Sequence, residues 1–169
     1  MIRPWRKEDR EPLAAIANNV NVWINLLDRF PHPYSLQDAE RWIALNESVH
    51  PTLNFCIEVD GQVAGSIGLT PQVDVHRNNM AIGYFLGEPF WGKGIVTKAI
   101  GQLVQYIITT FPHVTRIYAP VFDHNTASKK VLEKNGFHHE AIHKGSAIKN
   151  NTVLDEHLWV KFVNRTGHS

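Results

Sequence analysis

The segment Gly87-Glu88-Pro89-Phe90-Trp91-Gly92-Lys93-Gly94-Ile95-Val96-Thr97-Lys98-Ala99 joins an apolar run ending near Leu86 to an apolar helical pattern starting near Ile95. A strand must therefore hand over to a helix through two glycines one residue apart. Glycine adopts backbone conformations closed to other residues and lets a ligand approach the main chain. A helix N-terminus presents unpaired N–H groups and a partial positive charge, which suits a phosphate. Lys93 adds a mobile cation. Two readings stand on spacing alone, a tight turn and a pyrophosphate cradle. No Gly-Lys-Ser/Thr occurs, which excludes a Walker loop, and no Gly-x-Gly-x-x-Gly opens the helix, which excludes the dinucleotide fingerprint.

Around this loop the apolar periodicity predicts a regular series of elements. Residues 2–5 read as a strand, 7–19 as a helix and 22–27 as a second short helix. Two prolines in Phe30-Pro31-His32-Pro33-Tyr34 interrupt it. Large aromatics are usually buried, so this segment reads as core cover, with the lining of an acceptor site as the alternative. Ser35 followed by Asp38 is a capping-box-like start for a helix over 36–47. Apolar runs 54–59 and 62–70 flank Asp60-Gly61, a hairpin signal. A polar connection over 73–79 leads to a strand over 79–86. The longest helix, 95–110, places Ile95, Ala99, Leu103 and Ile107 beside Ile100, Val104 and Ile108, a broad apolar face suited to a sheet. A strand over 116–122 and a helix over 125–135 follow, with Gly136 as its left-handed stop. Strands over 137–144 and 152–162, joined by a polar loop, close the chain. Strands in series and then alternation predict one α/β (α+β mixed) domain over 1–169, a mixed, mostly antiparallel sheet with helices on both faces.

Composition narrows the function class. The chain has 169 residues, 43% of them hydrophobic, and a formal net charge of +1, so no basic field argues for nucleic acid. Cys56 is the one cysteine; it excludes an intramolecular disulfide, fits a reducing compartment, and reads as buried and inert within Phe55-Cys56-Ile57. The N-terminal residues lack a signal-peptide apolar core, and no apolar run approaches the ~20 residues of a membrane helix. These features predict a soluble cytoplasmic protein without membrane partners. The histidines are scattered without ligand spacing, so no metal site is expected. His139 and His143, four apart in a predicted strand, would share one face.

The element order, with the glycine loop between a strand and the long helix, resembles the GNAT superfamily of acyl-CoA N-acyltransferases. The family's loop pattern is Gln/Arg-x-x-Gly-x-Gly/Ala. Here it reads Trp91-Gly92-Lys93-Gly94-Ile95-Val96, in which Gly94 matches, while Trp91 and Val96 depart at the two ends. Trp-Gly-x-Gly is a form of the ribosomal-protein alanine N-acetyltransferase-like branch. The opening Arg3-Pro4-Trp5-Arg6-Lys7-Glu8-Asp9, the Phe30 to Tyr34 segment with Asp38 and Trp42, Ile82-Gly83-Tyr84-Phe85-Leu86-Gly87-Glu88, and Asn125-Thr126-Ala127-Ser128 followed by Glu133-Lys134-Asn135-Gly136-Phe137 also resemble that branch.

The resemblance implies an acetyl-CoA-dependent N-acetyltransferase without a metal. Backbone groups of Tyr84, Phe85 and Leu86 would pair with the pantetheine arm. Trp91, Gly92, Lys93, Gly94, Ile95, Val96 and Thr97 would form the pyrophosphate loop. Asn125 would bond the cofactor arm, its plainer reading being a helix N-cap. Ser128 would be the acid near the sulfur, because the family's tyrosine position is Leu132. The family's glutamate position is Ala81, so the base is open among Glu88, Asp123, His124 and water; Glu88 is the candidate carried forward. The implied acceptor is a protein or peptide N-terminal α-amine, with a small amine such as an aminoglycoside, polyamine or amino-acid derivative as the alternative. A non-catalytic acyl-CoA-binding module is the third reading, and monomer and homodimer both fit.

Overall fold

The computed structural model describes residues 1–163, so the expected domain end at 169 lies outside the described residues. The elements run β1 (Ile2–Pro4), α1 (Arg10–Ala17), α2 (Val20–Trp23), α3 (Leu36–Asn46), β2 (Asn54–Val59), β3 (Gln62–Pro71), β4 (Asn79–Leu86), α4 (Ile95–Thr110), β5 (Arg116–Phe122), α5 (Thr126–Lys134), β6 (His138–Lys149) and β7 (Thr152–Phe162). This is the predicted order, and β2, β4, α4, β5 and β7 keep their predicted bounds. The strands form one sheet of order β1-β2-β3-β4-β5-β7-β6. β4 and β5 pair parallel, whereas β1–β2, β2–β3, β5–β7 and β6–β7 are antiparallel. The fold class is thus the mixed, mostly antiparallel one. Contacts gather into two units, Met1–Gly68 with Tyr84–Ala99, and Leu69–Gly83 with residues 100–163.

The first unit is built on the hairpin of β2 and β3. Asp60 and Gly61 both take positive φ, 49° and 76°, the pair of conformations that a two-residue turn needs to match strand twist. A cluster of Trp5, Leu13, Ala17, Tyr34, Ala39, Ile43, Cys56 and Val63 forms its core, with Phe30 and Phe85 packed against it. Phe30 and Tyr34 therefore cover the core, while His32 and Pro33 between them stay exposed. Burial pushes the Cys56 thiol up to about 12, which keeps it unreactive. The Arg3 guanidinium lies between Asp9 (2.8 Å) and Glu58 (2.5 Å), pinning the start of the chain to β2. Ser35 and Asp38 close the capping box at the start of α3 as the sequence implied.

The second unit buries Ile100, Leu103 and Ile107 of α4, Ile117 of β5, Leu132 of α5 and Val160 of β7. β5 pairs with β7 in unbroken register from Arg116↔Phe162 to Phe122↔Glu156. Gly136 follows α5 with φ 76°, the left-handed stop.

Several boundaries differ from expectation, the second short helix among them: expected over 22–27, it is found at Val20–Trp23. The predicted helix over 7–19 begins as a 3-10 turn at Lys7–Asp9 and ends at Ala17, after which Asn19 caps α2 through its side chain. The polar connection over 73–79 contains a 3-10 turn, Asp74–His76. β6 runs on past Lys144 to Lys149, because pairing resumes at Ala147↔Leu154 after a register shift and continues to an Asn150-Asn151 turn.

A further correction concerns His139 and His143. His139 faces Trp159 and His143 faces Glu156, with an extra residue taken up between His139 and Ala141. Positions 156 and 159 stand an odd number apart on the regular strand β7, so the bulge puts the two histidines on opposite faces. Among the described residues no group of three His, Cys, Asp or Glu is arranged to hold a metal ion, and no helix is long and apolar enough to cross a membrane.

Candidate functional site

The strand-to-helix loop is fastened at its entrance. Gly87 N–H donates to the Ala64 carbonyl at 2.8 Å. Across from it, Gly65 lets β3 approach the end of β4 closely: a Cβ there would collide with the Phe85 carbonyl oxygen and lie 3.0 Å from Leu86 Cα. The pairing of β4 with β5 covers Asn79–Ala81 against Arg116–Tyr118. Tyr84, Phe85 and Leu86 lie beyond it at the C-terminal end of β4.

A 3-10 turn, Glu88–Phe90, starts the loop. The Glu88 carboxylate accepts from Asn19 Nδ2 at 2.7 Å and Asn21 Nδ2 at 3.2 Å. These two bonds, Asn19 first, hold it below the usual glutamate range. Glu88 is therefore an ionised anchor between the loop and the α1–α2 connection, and an ionised carboxylate held low is a weak proton acceptor at neutral pH. Trp91 Nε1 donates to the Leu86 carbonyl at 2.7 Å. Lys93 Nζ is turned back to the Pro89 carbonyl at 3.0 Å and lies over the Phe90 ring, so the cation expected to be mobile is folded onto its own loop.

Gly92 and Gly94 have φ of 74° and 71°, conformations that L side chains rarely adopt. A Cβ at either would meet nothing within 4 Å. The loop thus needs glycine for its backbone path and leaves open space beside it. Lys98 N–H donates to the Gly94 carbonyl at 3.3 Å, closing the first turn of α4. The N–H groups of Ile95, Val96 and Thr97 belong to that first turn, where a helix supplies no acceptor of its own. Exposed glycines, first-turn amides and the positive end of a sixteen-residue helix make an arrangement suited to a phosphate-bearing group.

The other predicted residues gather at the start of α5. Asn125 is its N-cap, with Oδ1 accepting the Ser128 N–H at 3.1 Å. Ser128 is half-buried one turn into the helix, and Leu132 is fully buried in the core. Lys129 reaches back to Asp123, with Nζ 2.7 Å from its carbonyl and 3.2 Å from Oδ1. Asp123 Oδ1 is also 2.7 Å from His157 Nε2. Lys129 and then His157 hold the Asp123 carboxyl below its usual range. His157 stacks on His139 with ring centroids 4.9 Å apart, and His139 in turn meets Trp159. Sequence reading singled out Asp123 and missed His157; only the pairing of β5 with β7 connects them.

Comparison with known proteins gives a consistent result. The family model described as "Acetyltransferase (GNAT) domain" matches residues 1–138. A "Probable N-acetyltransferase YjcK" of Bacillus subtilis (strain 168) is 34% identical over 62% of this chain, and the match spans 57% of that relative's length. Among solved structures, a ribosomal L7/L12 alpha-N-protein acetyltransferase, RimL, in complex with coenzyme A superposes with a TM-score of 0.83 at 19% identity, covering 96% of this chain and 93% of that one. The microcin C7 self immunity acetyltransferase MccE, in complex with acetyl-CoA and AMP, gives a TM-score of 0.83 at 22% identity over 96% and 91%. At these identities the two structures show a shared fold.

Proposed function

The chain belongs to the GNAT acetyltransferase family, and on that footing we propose that it transfers acetyl from acetyl-CoA to a primary amine, a protein or peptide N-terminal α-amine first among them. The observation that carries this reading is the Gly92-Lys93-Gly94 loop, with two left-handed glycines, open space beside both and the first turn of α4 immediately after. That cradle fits a pyrophosphate, and bound acetyl-CoA supplies the activated thioester.

The residues take the following roles. Amides of residues 92–97 hold the pyrophosphate, with Trp91 and Lys93 shaping the loop around them. Backbone groups of Tyr84, Phe85 and Leu86 align the pantetheine arm as a neighbouring strand would, and an N–H at Phe85 or Leu86 faces the charge that develops on the acetyl oxygen. Asn125 caps α5 and contacts the arm; Ser128 protonates the leaving sulfur. An α-amine, with a pKa of about 8 against about 10.4 for lysine, loses its proton more readily near neutral pH. That difference supports the N-terminal acceptor, as does the fold shared with an alpha-N-protein acetyltransferase. The fold shared with MccE keeps a small-molecule amine as the second reading.

The test is thiol release from acetyl-CoA against peptides with free Ala or Ser N-termini, polyamines and aminoglycosides, with calorimetric acetyl-CoA binding alongside. Release with the peptides is the expected result; release with a small amine alone moves the acceptor to the second reading. Binding without release from any amine points to a non-catalytic module, and absence of binding removes the cradle.

A further inference from the structure

The deeper question is which group takes the proton from the amine, since the family's glutamate position is Ala81 and Glu88 is committed to Asn19 and Asn21. We propose that His157, oriented by Asp123, is the proton acceptor; this rests on the transferase reading above. Three observations carry it.

The imidazole is fixed from two directions. Nε2 is held by Asp123 Oδ1 at 2.7 Å, and the ring is stacked against His139 with an interplanar angle of 28°. With Nε2–H donating to a carboxylate, Nδ1 is the nitrogen left to gain and lose a proton. The carboxylate is fixed in turn, because Lys129 grips both the Asp123 carbonyl and its side chain. Asp123 also belongs to the same short turn as Ser128, and His157 meets it from β7. Lys129 is the next residue after Ser128, and Asn125, two residues after Asp123, caps Ser128. One turn thus carries both the residue assigned to protonate the sulfur and the orienter of the base.

His157 Nδ1 takes one proton from the ammonium and passes it to solvent. The nitrogen lone pair then forms the N–C bond to the acetyl carbon, the C–S bond breaks, and the second amine proton ends on the thiolate through Ser128. Asp123 stays ionised throughout and steadies the imidazolium. The charged groups around the ring are Asp123 at the end of β5, Lys129 on α5, and Asp155 on β7 with its partner Lys144, and the titratable His139 of β6 stacks on it.

The test pairs nitrogen-15 histidine spectra with pH–rate profiles. His157→Gln keeps a donor for Asp123 and removes the base. The expected spectrum shows neutral His157 protonated at Nε2. The expected kinetics are a fall of about 100-fold or more in kcat/KM, loss of the acidic limb of the profile, and acetyl-CoA Kd within twofold of wild type. Asp123→Asn keeps the geometry and lowers kcat about tenfold. An Nδ1–H tautomer, or a His157→Gln enzyme within threefold of wild type with the same limb, overturns the assignment. Wild-type protein that turns over no amine sinks the transferase reading and the proton step with it, whereas turnover that survives His157→Gln sinks the dyad alone.

Discussion

Trp91 and Leu86 are joined by a hydrogen bond from the indole Nε1 to the carbonyl oxygen, 2.7 Å long. The bond ties the last residue of β4 to the loop five residues on. Trp91→Phe keeps an aromatic ring and removes the donor. A net hydrogen bond is worth about 1 kcal/mol, so the expected result is a rise of about fivefold in acetyl-CoA Kd by calorimetry, with little change in melting temperature. An unchanged Kd would mean that the loop holds its shape without the indole.

Gly94→Ala introduces no clash, since a Cβ there meets open space. It does force a φ of 71° on a residue with a side chain, at a cost of roughly 1–2 kcal/mol. The expected outcome is a modest loss of stability in urea unfolding together with a more than tenfold loss of acetyl-CoA binding. Equal losses in the two measurements would make Gly94 a turn residue and nothing more.

Glu88 is ionised wherever the α-amine titrates, because Asn19 and Asn21 hold its carboxyl low. A depressed acid changes charge only at acidic pH. Glu88→Gln is therefore expected to leave the pH–rate limb between about 6 and 8 in place, with kcat changed less than threefold. A displaced limb would identify Glu88 as the base.

Asp9 is buried against Arg3. Burial alone would raise its pKa, but the bonds from the Arg3 side chain and the Arg6 amide outweigh it and the net shift is downward. A depressed carboxyl adds stability that is complete above its unfolded value, near 3.9, and is lost as pH falls through the folded value. The urea midpoint is expected to be flat from neutral pH to about 5 and to fall below about 4. Asp9→Ala leaves the guanidinium without its main partner and is expected to cost about 3 kcal/mol at pH 7, with a shallower acid transition. An acid transition of unchanged depth would assign the effect to other carboxyls.

What the sequence disclosed and what it hid follow from the range of the interactions. The Asp60-Gly61 hairpin, the Ser35–Asp38 cap and the Gly136 stop were legible because each is set by residues within a few positions. The loop at Gly92 and Gly94 was legible for the same reason, as residue types with a backbone requirement. The end of β6 was not: Lys144, Gly145 and Ser146 break the alternation, and only renewed pairing with Leu154 carries the strand onward. Nor were the partners of Glu88, which sit at residues 19 and 21, or the bond of Asp123 to His157, which depends on strand register. Lys93 is legible as a cation in the loop, whereas its fold onto Pro89, in place of the mobility expected of it, depends on the 3-10 turn before it.

The extra residue in β6 between His139 and Ala141 also bears on how such a strand changes over generations. Removing it would leave the pairing with β7 as it stands, because Ala141, Ile142 and His143 would keep Leu158, His157 and Glu156 opposite them and so keep their faces. What would be lost is the local kink and added twist that a bulge gives its strand. The bulge is thus the place where the hairpin can lose a residue without turning its side chains over, whereas a deletion within the regularly paired run would reverse them.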